Sequence, residues 1–341
     1  MTAASPPTPA FLALPDLASR ALAGAVVHAD DEFFAEKENL ILPGEPLFDP
    51  TLFGHKGKVY DGWETRRRRT PGEDAAIIRL GVPGVIRGFV VDTAFFRGNY
   101  PPQVALDGAW IDGYPDPGQL AAAPWRPLVD PSAAQGDTRN QYAVADEDPV
   151  THVRLRMIPD GGIARLRVHG EPTPDPRFLA GTIDLAAAEN GGRVVDCSDL
   201  FYSSPANIIA PGRSRHMGEG WENARRRDDG NDHVTLALTG PGTVDHVEID
   251  TSYYIGNAPG SASLHGIRTT EDLERPEAWV ELVPRTPLQP DTRHRFLVLH
   301  TEPVRFVRLD VFPDGGIARL RVHGRLTRDA LEAMAARLLR N

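Results

Sequence analysis

Four blocks of this 341-residue chain occur twice, in the same order, and nothing else about the sequence restricts its architecture as much. Val26-Val27-His28-Ala29-Asp30-Asp31-Glu32-Phe33-Phe34 is matched by Val194-Val195-Asp196-Cys197-Ser198-Asp199-Leu200-Phe201-Tyr202. Asp61-Gly62-Trp63-Glu64-Thr65-Arg66-Arg67-Arg68-Arg69 is matched by Glu219-Gly220-Trp221-Glu222-Asn223-Ala224-Arg225-Arg226-Arg227. Asp92-Thr93-Ala94-Phe95-Phe96-Arg97-Gly98-Asn99 is matched by Asp250-Thr251-Ser252-Tyr253-Tyr254-Ile255-Gly256-Asn257, and Pro159 to Gly170 returns unchanged as Pro313 to Gly324. The spacing between copies falls from 168 residues at Asp31 and Asp199 to 154 at Asp160 and Asp314, so the length changes lie between the blocks, where surface loops tolerate them. A period this long does not build a solenoid and means two like domains. The prolines of Glu171-Pro172-Thr173-Pro174-Asp175-Pro176 put the boundary there. We expect a tail over 1–15, a first repeat over 16–172 and a second over 173–341.

Within each repeat the hydrophobic period is two. Val153, Leu155 and Met157 alternate with Arg154 and Arg156; Ala164, Leu166 and Val168 alternate with Arg165, Arg167 and His169; Val247 and Ile249 alternate with His246, Glu248 and Asp250. Short half-buried strands, punctuated by 31 prolines and 32 glycines, imply antiparallel sheets stacked as a sandwich. The expected fold is all-β: two tandem jelly-roll-like β-sandwich domains. Helix is sparse, the clearest being a short C-terminal one with Thr327 as N-cap and an apolar stripe of Leu331, Met334, Ala335 and Leu338.

Charge narrows the partners. A net charge of −10 repels nucleic acid and anionic lipid, so any anionic ligand has to be held by local arginines. The single cysteine, Cys197, forms no disulfide within the chain and fits a small apolar position in a strand, and a reducing, cytoplasmic setting is the simplest expectation. Met1 to Pro9 lacks the basic and apolar regions of a signal peptide and reads as a disordered tail, and no run of apolar residues is long enough for a membrane span.

The Gly-Trp-Glu-x-x-Arg-x-Arg segments combine groups suited to a small polar anion. Guanidinium forks bind carboxylates, an indole face covers a planar group, and an ionised Glu64 or Glu222 accepts from N–H groups or acts as a base. The plainer reading makes Trp63 and Trp221 core residues beside locally paired charges. Asp92 and Asp250, with Asn99 and Asn257, either tie turns through backbone bonds or face a cleft shared with the Trp-Glu-Arg segment. Pro-Asp-Gly-Gly is hairpin chemistry, and His169 and His323 at the polar ends of its strands can reach a ligand or be satisfied in place. No His-x-His, His-Glu-x-x-His or cysteine-pair spacing indicates a metal, although a divalent cation held by Asp and loop carbonyls stays open. Nucleotide-binding glycine loops and the Gly-x-Ser-x-Gly elbow are absent, which argues against a nucleotide cofactor or a serine nucleophile.

Together the Asp61–Arg69, Asp92–Asn99 and Pro159–Val168 motifs and their second copies resemble the allantoicase (allantoate amidinohydrolase) family, over roughly Asp16 to Gly324. The resemblance implies tandem galactose-binding-like jelly rolls and hydrolysis of the C–N bond of a linear amidine, allantoate, to ureidoglycolate and urea in allantoin and purine breakdown. It also implies a homo-oligomer; no cofactor is expected, with a divalent cation left open. Where the family reads Gly-His-Asp-Trp or Gly-Asn-Asp-Trp, this chain has Gly72-Glu73-Asp74-Ala75 and Gly230-Asn231-Asp232-His233; Glu219, Asn223 and Ala224 also depart from the pattern, which favours one half carrying the chemistry.

On this reading Arg67 and Arg69 clamp the substrate carboxylate under Trp63, Glu64 or Asp92 handles protons, and Asn99 orients a ureido group. Glu222, Asp250, Trp221, Arg225, Arg227 and Asn257 are the second-half candidates. The competing expectation is a non-catalytic tandem jelly roll binding carbohydrate or another small ligand, and a third is a family member without activity.

Overall fold

The computed structural model describes residues 9–338. The chain divides into two compact units, Met1–Thr173 and Pro174–Asn341. Each is an antiparallel β-sandwich built around one 19-residue strand, Asp74–Asp92 in the first and Asp232–Asp250 in the second.

Both long strands serve two sheets. Asp74 to Arg79 pairs with Val150–Ile158, whose other edge pairs with Gln103–Ala109 and, through it, with Arg126–Ala133. Gly84 to Asp92 pairs with Arg165–Pro172 on one side, and Gly88 to Asp92 with Arg139–Ala143 on the other. Between the two stretches lies Gly81-Val82-Pro83-Gly84, where pairing with Val150–Ile158 breaks register. Proline donates no ladder bond and glycine carries no side chain, so the strand turns here from one layer to the other. The second unit does the same at Thr239-Gly240-Pro241-Gly242.

Alternation along these strands sends one face inward. In the first unit Ile78, Leu80, Phe89, Val91, Leu106, Leu155, Leu166 and Val168 form one buried cluster with Trp63. The C-terminal helix, Arg328–Leu338, begins with Thr327 Oγ1 accepting the Ala330 amide at 3.2 Å, buries Ala330 and keeps Leu331, Met334, Ala335 and Leu338 half-buried. Cys197 closes the strand Arg193–Cys197, half-buried, and burial raises its thiol above the usual range.

One expectation is corrected. Residues 1–8 of the expected tail lie outside the described residues, but the rest is ordered: Ala10–Ala13 forms a 3₁₀ turn and Phe11 is buried. Its ring fills the space over Gly88, where an added Cβ would lie 2.5 Å from the ring. Composition alone underrated a segment whose one aromatic residue has a glycine-shaped seat waiting for it.

Candidate functional site

The Trp-Glu-Arg segment is pinned at its indole. Trp63 and Trp221 have no exposed surface, and each Nε1 donates to the backbone carbonyl of an aspartate in the first repeated block, Asp31 at 2.7 Å and Asp199 at 3.0 Å. Asn39 and Asn207, just after that block, donate to the carbonyls of Gly62 and Gly220 at 3.0 and 2.9 Å. The first block is therefore the cradle of the second. Neither indole covers a ligand as expected; burial of so large a side chain, with its N–H satisfied, makes both core pillars.

Beyond the tryptophan the backbone emerges. Trp63–Glu64 pairs with Gly162–Ile163, and Glu64 exchanges backbone hydrogen bonds with Ala35 at 3.3 Å on its other side. Opposite Glu64 stands Asn99, whose Nδ2 donates to Glu64 Oε1 at 2.7 Å; Asn257 donates to Glu222 Oε1 at 2.6 Å. The Pro-Asp-Gly-Gly block makes this meeting possible. At Gly161, with φ at +151°, an added Cβ would lie 2.6 Å from Pro101 N and 2.9 Å from Asn99 O, and Gly162 N donates to Asn99 O at 2.7 Å. Gly315 and Gly316 repeat the arrangement against Asn257. The diglycine thus does more than close a hairpin: it lets two backbones approach closely enough to bring the amide onto the carboxylate. Burial pushes the Glu64 carboxyl above its ordinary range, partly offset by the Asn99 bond, which favours the ionised form.

The arginines divide by position. Arg66 pairs with Asp31 at 2.9 Å, and Arg68 pairs with the buried Asp74 while its backbone N–H is held by Asp160 Oδ2 at 2.8 Å. Arg226 repeats this with Asp232 at 2.6 Å and Asp314 at 2.8 Å. Arg67 and Arg69 are exposed and have no ion-pair partner among the described residues. Both line an open cavity of ≈ 810 Å³ together with Glu64, Asn99, Tyr100, Asp160 and Gly161. Asp160 and Tyr100 were not singled out in the sequence, although Asp160 lies in the block copied without change.

Asp92 and Asp250 sit elsewhere. Asp92 is buried, accepts the Ala94 amide at 2.8 Å and lies 3.4 Å from Arg139, lining a separate hollow with Glu45 and Asp137. Asp250 accepts the Ser252 amide and hydroxyl at 2.9 and 2.6 Å. Both tie the turn after the long strand, and Asp92 does not line the cavity of Glu64, which corrects its expected proton-handling role there. The substituted second copy keeps its form by other means: Asn223 accepts the Gly315 amide at 2.7 Å where Thr65 Oγ1 meets the Gly161 amide at 3.4 Å. Arg225 and Arg227 are exposed, while Asn257 Nδ2 also contacts Met217 Sδ at 3.3 Å.

The model of the allantoicase repeat matches the chain twice, over residues 15–173 and 183–327. A probable allantoicase of Nocardia farcinica is 59% identical over 320 residues, covering 93% of this chain and 95% of that protein. A probable allantoicase of Streptomyces coelicolor is 51% identical over 341 residues, covering 96% and 89%. Among solved structures, the allantoicase of Saccharomyces cerevisiae superposes with a TM-score of 0.78 at 33% identity, covering 91% of this chain and 92% of that one.

Proposed function

The chain belongs to the allantoicase family, and from that premise we propose that its first repeat houses the site at which allantoate is hydrolysed to ureidoglycolate and urea. The observation that carries the assignment to this repeat is the cavity lined by an Asn-held carboxylate, Glu64, and two guanidinium groups, Arg67 and Arg69, that have no ion-pair partner among the described residues. Allantoate is a carboxylate whose central carbon bears two ureido groups. The two arginines supply charge-assisted hydrogen bonds for the carboxylate, and water exclusion around a part-buried Glu64 strengthens its action as a base.

Asn99 occupies Glu64 Oε1 and leaves Oε2 without a protein partner among the described residues. Oε2 takes the N–H proton of the ureido nitrogen that stays. The electron pair left on that nitrogen forms a C=N bond to the central carbon as the C–N bond to the other ureido group breaks. The protonated Glu64 then delivers its proton to the departing nitrogen, giving urea. Water next adds to the C=N bond, its hydroxyl to carbon and its proton, relayed by Glu64, to nitrogen, which yields ureidoglycolate and restores the carboxylate. One carboxyl with a raised proton affinity thus serves both steps, and no cofactor is needed to balance them.

No helix among the described residues is long and apolar enough to cross a membrane. The lone cysteine supports a cytoplasmic setting. Exposed apolar side chains such as Leu297 and Leu299 support self-association. The test of the site is urea release from allantoate by wild type, Glu64→Gln and Glu222→Gln. We expect Glu64→Gln to lose at least a hundredfold in kcat while folding normally, and Glu222→Gln to lose far less. Full urea release by Glu64→Gln removes the assignment, and glycan binding with no urea release returns the non-catalytic reading.

A further inference from the structure

The two repeats differ at one place where the second brings together three side chains of which the first has only the copied histidine. On the strand Asp232–Asp250, His246 and Glu248 stand two residues apart and so share a face, while Val247 and Ile249 between and beyond them are fully buried. His323, on the strand Arg319–Leu326, is the cross-strand partner of His246. The two imidazoles stack at 4.4 Å between centroids and 16° between planes. Ligand-capable atoms of His246, Glu248 and His323 all lie within 4.8 Å of one another.

We propose that His246, Glu248 and His323 form a binding site for a divalent transition cation of the Zn²⁺ class in the second repeat. The donor set decides the class: two neutral imidazole nitrogens and one carboxylate oxygen suit Zn²⁺, Co²⁺ or Ni²⁺, whereas Mg²⁺ and Ca²⁺ take oxygen donors. Arg295 Nε donates to Glu248 Oε1 at 2.7 Å and fixes the carboxylate, and Arg293 stands 3.8 Å from Oε2, beyond hydrogen-bond reach, so Oε2 is available to the ion. Such partners orient a ligating carboxylate, and their positive charge limits the site to moderate affinity. Neither ring nitrogen of His246 or His323 is held by a hydrogen bond among the described residues, so the ring nitrogens are available as ligands.

The first repeat shows that the sandwich does not require this trio. The strand partner of its copied histidine, His169, is Gly88, and Val90 stands where Glu248 does. There the space is closed by Phe11, whose ring lies 5.9 Å from that of His169, and His169 Nδ1 donates to Leu14 O at 2.7 Å. One copy of the fold seals this spot with an aromatic ring; the other presents three metal donors. The ligands sit on strands far apart in sequence, so no spacing motif announces them. All three ligands belong to the second repeat, and none of them takes part in the reaction proposed for Glu64.

The test is calorimetric titration of the tag-free full chain with ZnCl₂ and, for contrast, MgCl₂. We expect one equivalent of Zn²⁺ bound at micromolar Kd, at least tenfold weaker in His246→Ala and His323→Gln, several-fold weaker in Glu248→Gln, and no Mg²⁺ bound. Zn²⁺ bound equally well by both histidine variants, or no Zn²⁺ bound by wild type, overturns the site. Should a histidine variant fail to fold, Co²⁺ added to wild type decides: visible bands that saturate at one equivalent and need several-fold more Co²⁺ in Glu248→Gln support it, and their absence from wild type, or an unchanged titration in Glu248→Gln, overturns it.

Discussion

Asn99 and Glu64 are joined by an amide-to-carboxylate hydrogen bond of 2.7 Å, and Asn257 and Glu222 by its copy at 2.6 Å. These four residues come from loops that only the Gly161-Gly162 and Gly315-Gly316 approaches bring together. The bond leaves Glu64 Oε2 without a partner among the described residues and lowers the carboxyl's proton affinity against the larger, opposite effect of burial.

Removing that bond has a signed consequence for pH dependence. In the proposed reaction Glu64 acts first as a base, so kcat/KM is expected to fall as pH drops through its pKa, which burial holds above the ordinary carboxylate value. Asn99→Ala withdraws a donor to the ionised form and raises that pKa further, so the acid limb of the kcat/KM profile moves to higher pH. Asn257→Ala leaves the limb in place. An unmoved limb in Asn99→Ala would separate Glu64 from the profile.

Arg67 and Arg69 are expected to act through binding. A hydrogen bond to a charged group contributes about 1.5–3 kcal/mol, so Arg67→Ala and Arg69→Ala should each raise KM for allantoate roughly tenfold to a hundredfold. Lysine at either position restores charge without the planar fork and recovers part of the loss. Steady-state kinetics at two salt concentrations check this, because the contribution of exposed guanidinium groups weakens as salt rises.

Trp63→Phe should chiefly cost stability. The indole is fully buried and its N–H is bonded to Asp31 O, so the shorter ring leaves both a void and an unsatisfied carbonyl. A loss of about 2–4 kcal/mol follows from cavity and hydrogen-bond costs together. Trp221→Phe should behave alike, and urea unfolding midpoints measure both. A change in KM with no change in midpoint would return the indole to the ligand.

His152 makes the first repeat acid-sensitive. It is 1% exposed, its Nε2 has no partner among the described residues, and burial with the nearby Arg79 pushes its pKa down to about 4. Unfolded histidine titrates near 6.5, so the unfolded chain binds the proton first: the contribution is intact above pH ~6.5 and is lost as pH falls toward ~4, on the order of 3 kcal/mol in all. The second repeat has buried Phe306 at the corresponding position. His152→Phe should therefore flatten the pH dependence of unfolding between pH ~6.5 and ~4; an unchanged slope would assign the acid sensitivity elsewhere.

Much of the architecture was written in the string itself. Period-two alternation in Val153–Met157 and Ala164–Val168 is a local property of β-strands, and four copied blocks in one order leave two like sandwiches as the outcome. The Thr327 cap and the stripe over Leu331, Met334, Ala335 and Leu338 are likewise local, and the helix followed them. Glu64, Arg67, Arg69 and Asn99 could be named as a group because their chemistry suits one small anion, and all four line one cavity.

What the string could not resolve was direction. Carboxylate, indole and guanidinium groups in nine consecutive residues look alike whether they point to solvent or core. Folding buried Trp63, paired Arg66 and Arg68 with Asp31 and Asp74, and left Arg67 and Arg69 outside, because the partners arrive from segments distant in sequence. The same reason turned Asp92 toward its own turn and hid His246, Glu248 and His323 as a group. Repetition and alternation are carried by neighbours along the chain and so belong to the sequence; which side chains share a hollow depends on contacts across strands, and only the folded sandwich makes them.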